Sequence, residues 1–225
     1  MQQTVLEAAA LIVPLIVAIV FHEVAHGWVA RALGDPTAHE QRRLSLNPLR
    51  HVDPMGTIVV PGFLALTGLP TFGWAKPVPV NKQRLRNPRF GMMLVAAAGP
   101  LTNLALAFVG AVLLGLAARA AVPGPAGEFL GYALQAFLFI NVSLALFNLL
   151  PIPPLDGSHI LEGLLPRRAA RAFARLRGLG IVLLLVLLVV VPRIWPSFGI
   201  VRRFVLPPVL WLMDHYFALA QAIAG

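Results

Sequence analysis

Two histidines and a glutamate stand near the end of an apolar run reaching from Val5 to Ala30, in the stretch Phe21-His22-Glu23-Val24-Ala25-His26-Gly27-Trp28. No charge interrupts Leu11 to Phe21, so this run is predicted to be a membrane-spanning helix, not an amphipathic surface helix. Ionisable groups at membrane depth are costly and mark function. The spacing His-Glu-x-x-His puts both imidazoles on one helix face, one turn apart, where they can grip a single metal ion. Glu23 then stands beside that ion as a candidate general base for water. A pair of core histidines bonded to backbone carbonyls is the plainer reading, but it leaves Glu23 without a role.

Composition agrees with a chain in a bilayer: 58% of its 225 residues are hydrophobic and 12% are charged, against about 25% charged in soluble domains. The expected fold is an all-α polytopic membrane protein with about four to six membrane segments, each needing about 20 residues to cross. Candidates are Val5–Ala30, Phe90–Ala118, Phe129–Leu150 and Gly178–Val191. Phe204–Met213 either crosses together with Tyr216–Ala224 or lies at the interface. Thr57–Trp74 is apolar but broken by Pro61, Gly62, Gly68, Pro70 and Gly73. It is expected to be a re-entrant, partly β-like loop between the first and second spanning helices. Within it, Thr57-Ile58-Val59-Val60 and Lys76-Pro77-Val78-Pro79-Val80 are expected to form a short ribbon or free edge that could hold an unwound segment of another chain; the alternative is a plug that seals the interior. Residues 1–225 read as one domain, with a core over about 5–165 and C-terminal membrane segments over about 178–222.

The net charge of +9 does not point to nucleic acid. The basic residues fall in short loops between apolar segments, which is the orientation signal of a membrane protein. No cleavable leader is expected, because no early Lys or Arg precedes the first apolar run and that run holds the histidines. Without cysteine, any metal must be held by nitrogen and oxygen.

Catalytic zinc sites use three protein ligands and keep one position open. Candidates for the third are Asp156, Glu162, His159, Glu128, Asp53, Asp35, Glu40, Asp214 and the remaining histidines, His39, His51 and His215. Asp156 stands out because it ends Asn148-Leu149-Leu150-Pro151-Ile152-Pro153-Pro154-Leu155-Asp156-Gly157. Three prolines stop the helix and stiffen the chain, and irregular backbone at membrane depth is tolerated only where it is buried or lines a wet cavity. An ordinary Pro-rich turn with a solvated Asp is the competing reading of that segment alone.

Together, His22–His26, Gly99-Pro100-Leu101-Thr102-Asn103 and Asn148–Gly157 resemble the site-2 protease family of intramembrane zinc metalloproteases. Asn47–Thr57 and Phe72–Asn81 resemble its short bacterial-type members, and the likeness covers about residues 5–165. The resemblance implies His22, His26 and Asp156 as ligands of one Zn²⁺ and Glu23 as catalytic base. It also implies a role for Asn148 in stabilising the reaction's oxyanion. Asn103 matches a second family asparagine and is expected to bond another helix or a loop backbone, while His159 is expected to support or cap rather than ligate. Regulation through the PDZ and CBS modules that some relatives carry is not expected. The implied activity is hydrolysis of peptide bonds within or near transmembrane helices of membrane-protein substrates, as in regulated intramembrane proteolysis. The lipid bilayer is then a partner and nucleic acid is not.

The metal reading makes a topological demand. For His22 and His26 to meet Asp156, an even number of crossings must separate them. Phe90–Ala118 and Phe129–Leu150 supply two, so Thr57–Trp74 must return to the side it left. Nine basic residues between Arg31 and Arg89 and five between Arg167 and Arg177 then share one face, while the loop from Arg119 to Glu128 carries a single Arg. That face is expected to be cytoplasmic, in a bacterial inner membrane, with the N-terminus outside and the site nearer the cytoplasm. Arg193, Arg202 and Arg203 fit this pattern poorly. A metal transporter or sensor would explain buried His and Asp but not a Glu adjacent to the first ligand; a silent relative that binds helices without cutting them would not need Glu23 intact.

Overall fold

The computed structural model describes residues 2–68, 73–195 and 199–225. Helix α1 (Gln2–Ala32) carries the His-Glu-x-x-His segment. The short α2 (Val60–Leu66) follows a π-helical turn over Pro54–Val59. Next come α3 (Pro88–Ala120), α4 (Gly124–Asn148) and α5 (Asp156–Leu164). The apolar helix α6 (Arg167–Ile194) and the C-terminal α7 (Leu206–Ala224) complete the bundle. Ala10–Ala32 of α1, α3, α4 and α6 are long and apolar enough to cross a membrane. The sequence left the C-terminal region undecided; there α7 is one continuous helix.

Each turn has a local cause. Pro88 opens α3 behind the Asn87 side chain, which accepts from the Phe90 N–H. Ala121 ends that helix at φ 46°, and Pro123 with Gly124 at φ +73° starts α4 immediately after. Beyond Asn148, prolines 151, 153 and 154 prevent continuation. Tight turns, Ile152 N–H to Leu150 O at 2.8 Å and Leu155 N–H to Ile152 O at 2.9 Å, then carry the chain to Asp156.

The core is built from small residues on α3 facing larger ones on α4 and α7. Ala107 and Ala111 pack with Leu138 and Val142 of α4 and with Val209 and Met213 of α7, and the small side chains permit the close approach typical of membrane bundles. Tyr216 Oη donates to Leu104 O at 3.1 Å, tying α7 to α3. On α1, Leu11, Ile12, Val13 and Leu15 face out of the bundle, as on a helix solvated by lipid.

The β-like part of the expected loop is absent among the described residues. Thr57–Val60 is helical, because the Asp53 side chain caps the turn by accepting from the Gly56 N–H at 2.8 Å and Pro54 occupies the first helical position. Those local signals override the strand preference of Ile58, Val59 and Val60. Lys76–Val80 forms no strand, since Pro77 and Pro79 have no N–H to offer a ladder; the Lys76 N–H is donated to His51 O at 2.9 Å. Pro70 and the rest of residues 69–72 lie outside the described residues. The two ends of the loop do meet. The Trp74 N–H donates to Gly56 O at 3.0 Å, and Thr57 Oγ1 donates to Trp74 O at 3.0 Å, so the chain leaves Trp74 where it entered Gly56. Among the described residues, α3 and α4 are the helices between the histidines and Asp156 that are long and apolar enough to cross a membrane.

Candidate metal and catalytic site

Two antiparallel rows at four-residue spacing form the base of the site. On α1 the row is Ala18, His22, His26; on α3 it is Val95, Gly99, Asn103. Residues four apart share one helix face, so each row presents a continuous stripe to the other. His26 Nδ1–H donates to Val95 O at 2.7 Å, and His22 Nδ1–H donates to Asn103 Oδ1 at 2.6 Å. Gly99 lies between these bonds. A Cβ there would stand 2.6 Å from Cε1 of both imidazoles, so only glycine lets the rings lie against α3 in this way.

The partners fix both tautomers. Val95 O is a carbonyl and can only accept, so His26 carries its proton on Nδ1. The Asn103 amide nitrogen faces Ala18 O at 3.1 Å, which turns its oxygen towards His22 and puts that proton on Nδ1 as well. The Nε2 lone pair of each ring is therefore free, and both are aimed at Asp156. Its Oδ2 lies 3.1 Å from His22 Nε2 and 3.4 Å from His26 Nε2, is buried and has no hydrogen-bond partner. Three acceptor atoms, all within 4.8 Å of one another, repel unless a cation stands among them. The donor set of two imidazoles and one carboxylate, each imidazole backed through Nδ1, is that of a zinc site with an open position.

The predicted residues converge on one cavity of about 690 Å³, whose walls include His22, Glu23, His26, Asn148, Asp156 and His159. Glu23 follows His22 on α1, and its Oε2 accepts the Val78 N–H at 2.9 Å. Asn148, the last residue of α4, lines the cavity, and its amide donates one bond, to Leu144 O at 3.0 Å. The Nδ1 of His159 is buried without a partner; burial first, and then Arg177, hold its pKa below the usual histidine value.

Of the other candidate carboxylates, Glu128 and Asp214 are exposed and four have structural work. Asp35 is fully buried and accepts from the Thr37 N–H at 3.1 Å and the Asn81 N–H at 2.6 Å. Asp53 caps a helix, and Glu40 pairs with Arg84 at 2.7 Å. Glu162 accepts from Lys82 Nζ at 2.9 Å and from Arg177.

Sequence reasoning missed three contributors. Gly99 was visible only as part of a motif, although a glycine four residues before an asparagine in an apolar helix was a signal of close approach. Val95 acts through its carbonyl, for which sequence holds no signal. Asn141, an amide in the interior of the apolar helix α4, is fully buried and could have been found by its place there.

Residues 126–191 match the model of peptidase family M50, a stretch that includes Asn148 and Asp156. The chain is 42% identical over 185 residues to "Putative zinc metalloprotease YwhC" of Bacillus subtilis, covering 80% of each chain. It is 33% identical over 200 residues to the Rip2 protein of Mycobacterium tuberculosis strain H37Rv, named in the same terms, covering 88% of this chain and 71% of the relative. The similarly named MJ0611 of Methanocaldococcus jannaschii is 37% identical over 145 residues, 64% of each. No solved structure matches the chain.

Proposed function

Because the chain belongs to peptidase family M50, the site-2 type of zinc metalloprotease, we propose that His22, His26 and Asp156 hold its zinc, that Glu23 is its general base, and that it cleaves transmembrane-helix substrates inside the bilayer. The observation that carries this reading is the convergence of two bare Nε2 atoms and an unpartnered Asp156 Oδ2, with Glu23 on the wall of the same cavity. Bound there, zinc polarises a substrate carbonyl and brings the pKa of water towards neutrality.

The chain's own residues supply the remaining chemistry. Glu23 accepts a proton from the attacking water on its carboxylate and returns it to the leaving amine. The Val78 N–H holds that carboxylate in place. The second amide hydrogen of Asn148 stabilises the oxygen on which negative charge develops. A helical substrate shields its peptide bonds by internal hydrogen bonding, so it must unwind before it enters. The cavity receives it beside the extended segment through Val78 and Val80, which line the wall. The exposed Arg167, Arg168, Arg171 and Arg175 support, by the orientation rule, a reading in which this end of the bundle faces the cytoplasm from a bacterial inner membrane.

Metal content and cleavage of a transmembrane peptide by detergent-purified protein test the assignment. Glu23→Gln is expected to keep about one zinc per chain and lose turnover by roughly 10²–10⁴-fold, whereas Asp156→Ala is expected to lose zinc. Full zinc affinity in Asp156→Ala, or undiminished cleavage by Glu23→Gln, would refute it.

A further inference from the structure

Asn103 and Asn141 sit in the middle of the bundle, both with no exposed surface, and neither reaches the cavity. Burying two amides in an apolar bundle is costly unless their polar atoms find partners, and here each amide nitrogen and oxygen has at least one, in a directional chain. Asn141 Nδ2 donates to Phe137 O at 2.8 Å, and Asn141 Oδ1 accepts from Asn103 Nδ2 at 2.8 Å. Asn103 Nδ2 also donates to Ala18 O, and Asn103 Oδ1 accepts the His22 Nδ1 proton.

Both ends of this chain of bonds are backbone carbonyls, which only accept. Phe137 O therefore fixes the orientation of Asn141, Ala18 O fixes that of Asn103, and the two agree. Neither amide can turn over without setting like dipoles against each other, so the proton of His22 is held on Nδ1. The strut joins three helices: α1 through His22 and Ala18, α3 through Asn103, and α4 through Asn141. Asn141, Ala145 and Asn148 lie on one face of α4 by their four- and three-residue spacing. Asn141 thus sets the register of the helix that ends at Asn148 and leads to Asp156.

We propose that Asn141 is a positioning residue for the metal site, acting through Asn103 to hold His22 in its ligating tautomer and to align α4, and with it Asp156, against α1. The inference rests on the three-ligand reading of the site. Outer partners of metal-bound histidines are worth roughly 10–100-fold in metal affinity. Removing Asn141 leaves one Asn103 N–H unpaired in a dry interior and lets that amide wander.

The test uses detergent-purified full chain in four forms: wild type, Asn141→Leu, Asn141→Asp and Asp156→Ala. Zinc affinity is read by chelator competition, and the His22 tautomer by ¹⁵N NMR of the metal-free protein. Asn141→Leu is expected to lose roughly 10–100-fold in zinc affinity and to show a mixed or shifted His22 Nδ1 signal. Asn141→Asp is expected to restore both towards wild type. A carboxyl kept neutral by burial offers a C=O to Asn103 and an O–H to Phe137 O, whereas a merely space-filling role would favour leucine over aspartate. Unchanged zinc affinity and an unchanged His22 signal in Asn141→Leu would overturn the proposal. If Asn141→Leu does not fold, the wild type still decides: His22 protonated on Nε2 in the metal-free protein overturns it, and protonation on Nδ1 together with rescue by Asn141→Asp supports it. Failure of the three-ligand reading shows separately, as full zinc affinity in Asp156→Ala, and leaves the tautomer measurement as the arbiter of the strut.

Discussion

Adding one methyl group at Gly99 tests the packing of the site directly. In Gly99→Ala the new Cβ would stand 2.6 Å from His22 Cε1, His26 Cε1 and His26 Nε2, where carbon atoms prefer about 3.5–4.0 Å. The overlap is roughly 1 Å. The rings cannot simply retreat, because their Nδ1 protons are bonded to Val95 O and Asn103 Oδ1 on the same helix as the intruding methyl. Either α1 and α3 move apart or the imidazoles turn and break those bonds. Overpacking of this kind costs about 1–3 kcal/mol. If that cost falls on the ligating geometry, it corresponds to roughly 5–150-fold in zinc affinity at about 1.4 kcal/mol per tenfold. The assay is chelator competition on detergent-purified protein, with thermal unfolding of the metal-free form beside it. Gly62→Ala is the control, since a Cβ at Gly62 meets nothing within 4 Å. Wild-type zinc affinity in Gly99→Ala would refute the claim that the imidazoles lie against the bare backbone of α3.

Two further expectations follow from contacts at the rim of the cavity. Val78→Pro removes the N–H that holds Glu23 Oε2. A hydrogen bond to a charged group is worth about 1.5–3 kcal/mol, so turnover should fall by roughly 10–150-fold with zinc retained; equal turnover would show that the carboxylate is positioned by other means. Glu162 clasps Lys82, just before α3, and Arg177 of α6. Burial alone would raise its pKa, but Lys82 and Arg177 outweigh burial and hold it below the usual glutamate value. The clasp's contribution is therefore full above the ordinary carboxylate pKa and lost as pH falls through the lowered one. With Lys82 and Arg177 part-exposed, it is worth about 1 kcal/mol at most. Glu162→Gln should thus melt slightly below wild type at neutral pH and together with it in acid; a gap that persists in acid would rule out the ion pairs as its cause.

Local features of the chain were legible where one period or one residue type decides them. His22, Glu23 and His26 were readable because four-residue spacing has a single meaning on a helix, and Asp156 because three prolines can only break one. The two long apolar helices between them, α3 and α4, were readable as apolar runs. What failed was a local preference read without its cap. Ile58, Val59 and Val60 favour a strand, yet Asp53 and Pro54 immediately before them start a helix. Pro77 and Pro79 announced an extended segment, but nothing local said that the one N–H between them is used by Glu23.

The partners of the site are less legible for a different reason. They come from three rows at helical spacing: Ala18, His22 and His26; Val95, Gly99 and Asn103; Asn141, Ala145 and Asn148. Each row could be drawn from sequence alone, but which row faces which depends on packing, and the apolar residues around them would pack almost as well in another register. Polar or very small residues break that degeneracy. The observed alignment lets both imidazole protons find acceptors, gives the rings the space above Gly99, and pairs two buried amides at once. The groups proposed to build the metal site are therefore largely the ones that also bond α1, α3 and α4 to one another. A substitution that disturbs one should be felt in the other, as zinc affinity lost together with a fall in the melting temperature of the metal-free chain.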